Sequence, residues 1–278
     1  MERVMKKTAV IGLGIIGGSL CAALTVAGYE VHGFDLDASC VEYALRERYI
    51  CGVANDFSLY DTVFIAVPPK ATLWYLENGN FKDGALVSDI CGVKEIVEKT
   101  VRAKKRNYRY IGLHPMAGKE TSGIDSATPN LFKNANLIVT RSDDTSSEAL
   151  EEIKRYAWDI GFGRIVECSA KEHDKKIALT SQLAHIVSNA YVKSSQVKGC
   201  DGFTGGSFQD MTRIAGVDEC VWTPLYACNR KNIVLELNGL IERLSVYRDA
   251  LAEGDDDKLS ETLKEGRLIR ETIKRGND

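Results

Sequence analysis

Through residue 168 the chain alternates short apolar runs with helix-length amphipathic stretches. Runs rich in Val, Ile and Leu at 8–12, 30–35, 61–67, 85–89, 109–113, 135–140 and 164–167 predict β-strands. The segments 15–27, 39–48, 70–77, 93–105 and 146–160 carry apolar residues on one helical face. Strands separated by helices in this way predict parallel strands joined by crossover connections. The expected fold class is therefore α/β, a doubly wound, mostly parallel sheet of the dinucleotide-binding type. After Cys168 strand periodicity stops. The stretches 171–196, 220–252 and 257–274 are helical in period, with Ile177, Leu179, Leu183, Ile186 and Val187 marking the first apolar stripe. The pattern places a sheet domain at 1–169 and an all-helical domain at 170–278.

Length agrees with two domains, because 278 residues exceed what one core usually serves. Charge narrows the class of partner. With 36 basic and 39 acidic side chains the net charge is −3, so there is no basic field for nucleic acid or anionic lipid. Eight cysteines lie scattered without close metal-ligand pairs, no N-terminal signal pattern is present, and no apolar run approaches the roughly 20 residues of a membrane span. The expectation is a cytoplasmic enzyme of small molecules, with reduced thiols and no bound metal.

The most informative motif lies at the first predicted strand–helix junction, Gly12-Leu13-Gly14-Ile15-Ile16-Gly17. In this context Gly12 permits the tight turn, Gly14 lets the backbone approach a pyrophosphate, and Gly17 lets helix and strand pack closely. Asp35 ends the second strand at the spacing of the acid that binds the ribose hydroxyls of NAD. Leu36, Asp37 and Ala38 supply no arginine for a 2′-phosphate, which favours NAD over NADP. Val67 and Pro68 lie at the end of the strand 61–67, where such sheets meet ligand, and the prolines equally serve to end the strand.

Four histidines are available for proton transfer. His32 reads as a sheet-surface residue. His114 follows a strand, immediately before Pro115, and suits a proton acceptor in an alcohol oxidation, or else a loop cap. His173, with Ser169 and Asp174, reads as capping chemistry at a helix start. His185 lies one turn after Ser181 on a helix and fits either a site or a core position. Arg213, following the glycine-rich Gly205-Gly206-Ser207-Phe208, suits bidentate binding of a carboxylate or an ion pair.

Together these segments resemble the prephenate/arogenate dehydrogenase family of tyrosine biosynthesis. The segments that carry the likeness are His114-Pro-Met-Ala-Gly, Ser181-Gln-Leu-Ala-His185, Gly205-Gly-Ser-Phe-Gln-Asp-Met-Thr-Arg213 and Trp222. The resemblance implies oxidative decarboxylation of a cyclohexadienol with hydride passing to NAD, and His114 as the acceptor of the hydroxyl proton. It further implies Arg213 and His185 at the substrate, Trp222 nearby, and a homodimer built through the helical domain. Three positions depart from the family. Gly92 stands where a serine supports the catalytic histidine, which leaves Ser88, Cys91 or water to bond the substrate hydroxyl. Gln182 stands where many members have a histidine, and Gln209 where some have lysine. The competing readings are a two-domain dehydrogenase of β-hydroxy acids or cyclic imines using Lys175 or Lys176, and a non-catalytic NAD-binding protein.

Overall fold

The computed structural model describes residues 6–119 and 121–273. Six parallel strands form the first sheet: β1 (Lys7–Ile11), β2 (Glu30–Phe34), β3 (Gly52–Val53), β4 (Thr62–Ile65), β5 (Leu86–Asp89) and β6 (Arg109–Tyr110), in spatial order β3-β2-β1-β4-β5-β6. Helices α1 (Ile15–Val26), α2 (Ala38–Arg46), α3 (Pro69–Asn78) and α4 (Glu95–Ala103) make the crossovers. A second sheet joins β7 (Gly112–Pro115), β8 (Asn136–Thr140) and β9 (Arg164–Cys168), with β7 antiparallel and β9 parallel to β8, and α5 (Ser147–Asp159) linking β8 to β9. The fold class predicted from periodicity is the one observed.

Successive residues of β1 explain the nearly unbroken apolar run. Val10 packs into a cluster with Leu24, Phe64, Ile111 and Tyr156, whereas Ile11 packs with Val63, Val87 and Val97 on the opposite face. Both faces are covered, so alternation disappears. Local chemistry fixes the helix starts: Asp37 accepts from Ser39 N at α2, and Ser146 Oγ accepts from Ala149 N at α5.

Helices α6 (Ala170–Ile177), a π-helical turn (Ala178–Leu183), α7 (Ala184–Tyr191), α8 (Gly206–Thr212), α9 (Glu219–Cys228), α10 (Arg230–Glu253) and α11 (Asp256–Thr272) complete the chain. Ser169 caps α6 through Glu172 N at 3.1 Å. The chain divides into two compact units, 1–230 and 231–278. The second unit holds most of α10 and all of α11. These helices expose Val234, Leu235, Ile241, Leu244, Leu251, Leu263 and Ile269 to solvent.

Several boundaries differ from the sequence pattern. The run 109–113 is two strands, because the chain leaves the first sheet after Tyr110 and enters the second at Gly112, where a side chain would meet Thr140 Oγ1 at 2.4 Å. The helix expected over 171–196 contains the π turn and ends at Tyr191. The helix expected over 220–252 breaks at Asn229, whose amide instead donates to Asp174 O at 2.8 Å and Gln182 Oε1 at 2.6 Å. Periodicity cannot register such tertiary bonds. The last helix ends its regular hydrogen bonding at Thr272, and residue 274 lies outside the described residues.

Candidate active site

The glycine turn behaves as a steric cradle. Gly12 has φ +93°, and a Cβ there would lie 2.4 Å from Ala66 O and 2.6 Å from Val67 Cγ1. A Cβ on Gly17 would fall 1.8 Å from Gly12 O, so only glycine lets α1 sit this close. At Gly14 a Cβ would meet nothing within 4 Å. The open side of the turn therefore lies at Gly14, where a phosphate has room. No side chain caps α1, and its first turn holds no acid, which leaves N–H groups and the positive end of the helix dipole for an anion. Asp35 Oδ2 accepts from Leu13 N at 2.6 Å and Oδ1 from Asp37 N at 2.9 Å, tying the two turns together. Its remaining lone pairs suit ribose hydroxyls. Ile15 and Ile16 are half-buried at the start of α1, Val67 packs beside Gly12, and Pro68 precedes α3 on the surface. These residues fit a dinucleotide.

Ile16 also lines a cleft that includes Gly92, His114, Ser181, Gln182 and Trp222. His114 stands on β7, and its Nδ1 lies 2.8 Å from Nε2 of His173 on α6. His173 Nδ1 in turn lies 2.7 Å from Asp174 Oδ1. The carboxylate accepts, so His173 carries its proton on Nδ1 and presents an Nε2 lone pair, to which His114 donates its Nδ1–H. The lone pair of His114 is thereby left on Nε2, the atom that approaches Gly92. Burial holds the His114 pKa well below 6.5, reinforced by the neighbouring His173, which disfavours a second protonated ring, and by the Lys94 charge. Burial also lowers the pKa of His173, against the raising effect of Asp174. The result is a neutral base with a defined tautomer facing the cleft.

Beneath it lies a buried ionic frame. Asp174 accepts from Lys94 N at 2.7 Å and Glu95 N at 2.9 Å, capping α4 rather than its own helix. The Lys94 ammonium pairs with Asp89 in full burial, and Tyr110 donates to Asp89 Oδ1 at 2.5 Å. Burial, then the Asp89 charge, pushes the Tyr110 pKa well above 10, which keeps it a donor. His173, Asp174 and Lys94 are the functional residues that sequence reasoning missed or assigned to capping alone. The adjacent His-Asp pair is a weak local signal, and its partner is 59 residues away.

After the π-helical turn, α7 holds a backbone loop through three side chains. His185 Nδ1 donates to Ile214 O at 2.9 Å, Ser188 Oγ to Met211 O at 2.7 Å and Asn189 Nδ2 to Ala215 O at 3.1 Å. Arg213 is carried on this loop, exposed and outside the residues that line the cleft. His185 packs against Trp222 with the rings tilted, centroids 4.0 Å apart, and Trp222 in turn lines the cleft. Gln182 lines the cleft, with its Oε1 held by Asn229.

Two expectations need correction. Ser88 is not at this cleft: it is fully buried in β5, with its hydroxyl unpartnered, on the sheet face of Leu86 rather than that of Asp89. Cys91 is buried in the core with its thiol pKa pushed up to about 12, chiefly by burial, and does not line the cleft either. At Gly92 a Cβ would lie 3.5 Å from Leu225 Cδ2 and 3.7 Å from His114 Nε2, ordinary contact distances. The glycine leaves that space to substrate or water.

Residues 22–167 match the family model for the prephenate dehydrogenase nucleotide-binding domain, and residues 169–265 match that for the prephenate dehydrogenase dimerization domain. The chain belongs to the prephenate dehydrogenase family. Within it, the chain is 30% identical to the cyclohexadienyl dehydrogenase of Zymomonas mobilis over 99% of its own length and 98% of that protein's. Among solved structures of the family, it superposes on A. aeolicus prephenate dehydrogenase, in complex with hydroxyphenyl propionate and NAD+, with a TM-score of 0.86 at 24% identity, covering 99% and 100% of the two chains. Synechocystis arogenate dehydrogenase gives 0.81 at 26% identity, covering 95% and 99%.

Proposed function

We propose that this chain oxidatively decarboxylates prephenate, arogenate or both, with His114 as the proton acceptor. The carrying observation is the chain of hydrogen bonds from Asp174 through His173 to His114, which leaves a neutral Nε2 on the cleft. As the ring hydroxyl becomes a carbonyl-like oxygen, Nε2 takes its proton. The resulting imidazolium is stabilised by its Nδ1–H bond to His173, whose ring is oriented by Asp174. NAD, held by Gly12, Gly14, Gly17 and Asp35, would accept the hydride from the same carbon. Loss of carbon dioxide then makes the ring aromatic, so the protein's task is mainly positioning. His185 and Arg213, carried on the α7–α8 frame, are assigned to the substrate carboxylates, and Trp222 to the wall between them. The alternative of a helical-domain lysine base is not favoured: Lys175 and Lys176 are exposed, Lys176 pairs with Glu172, and neither lines the cleft.

The same reading extends to assembly. Residues 169–265 match a dimerization-domain model, and the exposed apolar residues of α10 and α11 supply surface suited to a homodimer. Among the described residues no helix is long and apolar enough to cross a membrane.

The test is absorbance of NADH formed with prephenate and with arogenate. Turnover of either substrate that collapses in His114→Asn, with NAD well ahead of NADP, supports the assignment. No turnover of either substrate, or full turnover by the variant, refutes it.

A further inference from the structure

At the β2–β3 edge of the parallel sheet, Glu30, His32 and Cys51 each bring one potential ligand atom within 4.8 Å of the other two, the one such group among the described residues. Glu30 and His32 are two apart on β2 and share a face, and Cys51 immediately precedes β3, whose Gly52 pairs with His32. Cys51 Sγ lies 3.9 Å from each ring nitrogen of His32. Tetrahedral zinc, with bonds of about 2.3 Å to sulfur and 2.0–2.1 Å to nitrogen, sets two such ligand atoms roughly 3.6 Å apart. The separation is close to that value, the imidazole having to turn so that one nitrogen faces the shared position, and no more than 4.8 Å separates the Glu30 ligand atom from the other two. Gly52 makes the arrangement possible, because a Cβ there would meet His32 Cδ2 at 2.7 Å and Nε2 at 2.9 Å. Tyr60 lies against the imidazole from another side, ring centroids 5.4 Å apart.

We propose that Glu30, His32 and Cys51 form a binding site for a thiophilic divalent cation of the zinc class, with the exposed side of Cys51 leaving a fourth position to water. One thiolate, one carboxylate and one neutral imidazole balance the double charge of the ion. The Cys51 thiol now donates to Val31 O at 3.1 Å. The effect on the fold is local. β3 has two residues and pairs with β2 at only two positions, so an ion bridging Cys51 to β2 staples the shortest edge of the sheet. Asp35 lies beyond the other end of β2, so cofactor binding is left alone.

The experiment uses the full chain, stripped with a chelator and titrated with cobalt(II), then with zinc. The expected result is a near-ultraviolet cobalt–thiolate charge-transfer band saturating at one equivalent, bleached by zinc, with a rise in melting temperature. Cys51→Ser abolishes the band, and His32→Gln weakens cobalt binding by at least about tenfold, the loss that removing even an outer-shell partner can cause. Cys220→Ser, at an exposed thiol elsewhere, leaves the titration unchanged, and KM for NAD is the same with and without zinc. Absence of the band in the natural sequence, or its persistence in Cys51→Ser, overturns the proposal.

Discussion

Replacing His173 by leucine removes the group that orients the base without touching the cleft itself. His173 is 1% exposed and does not line the cavity, so a leucine of similar bulk replaces it inside the core. What disappears is the acceptor 2.8 Å from His114 Nδ1. A hydrogen bond to a charged group contributes about 1.5–3 kcal/mol, and here the charge appears only when His114 takes the substrate proton. At 1.36 kcal/mol per decade, the expected fall in kcat is about 10- to 150-fold. KM for the cyclohexadienol and for NAD should stay within about twofold, because neither ground state uses the lost bond. The assay is initial-rate NADH formation across both substrate concentrations, with thermal melts to confirm folding. His173→Gln restores an acceptor oxygen and should recover part of kcat. A fall below threefold, or one confined to KM, would refute the relay from Asp174 to His114.

Two further outcomes follow from glycine sterics and from proton linkage. Gly17→Ala places a Cβ 1.8 Å from Gly12 O and should destabilise the fold by about 1–3 kcal/mol, whereas Gly14→Ala has open space and should raise KM for NAD with no loss in melting temperature; similar melting for both would contradict the cradle. His114 and His173 are both held below their ordinary pKa by burial, so the unfolded chain takes up protons first as pH falls through about 6.5. Stability from these two groups is full above that pH and declines below it, by up to about 1.4 kcal/mol per pH unit for each. Urea midpoints at pH 7.5 and 5.5 should show this decline, and it should shrink in His114→Asn; an equal decline in that variant would reject the assignment.

Much of the sheet half was legible in sequence, because its strands are buried on both faces and its turns need glycine at fixed positions. The dinucleotide turn could be recognised from residues within about 25 positions of one another, and the structure places Gly12, Gly14, Gly17 and Asp35 together. His114 was recognisable as a residue at a strand end. Its orienting partner was not, because His173 follows a helix cap and meets His114 only through packing of α6 against the sheet domain. Lys94 and Asp89 hide for a similar reason: a buried lysine looks like a surface one until its partner is seen. Ser88 misled in the opposite sense. Offered as a stand-in for the family serine that Gly92 replaces, it lies on the sheet face of Leu86, away from the cleft.

The wide turn at Ala178–Leu183 sets the angular phase between the two halves of its helix. A π turn accommodates one residue more than an α-helix of the same height, and each residue is worth about 100° of rotation. His173 on the early half can therefore look toward His114 while Gln182 faces the cleft and His185, Ser188 and Asn189 grip the carbonyls around Arg213. Winding the same residues into a regular α-helix would leave His173 where it is and swing the α7 grip about 100° off its carbonyls. The wide turn absorbs the surplus residue, so deleting one residue from it keeps both halves in register, whereas inserting one more does not.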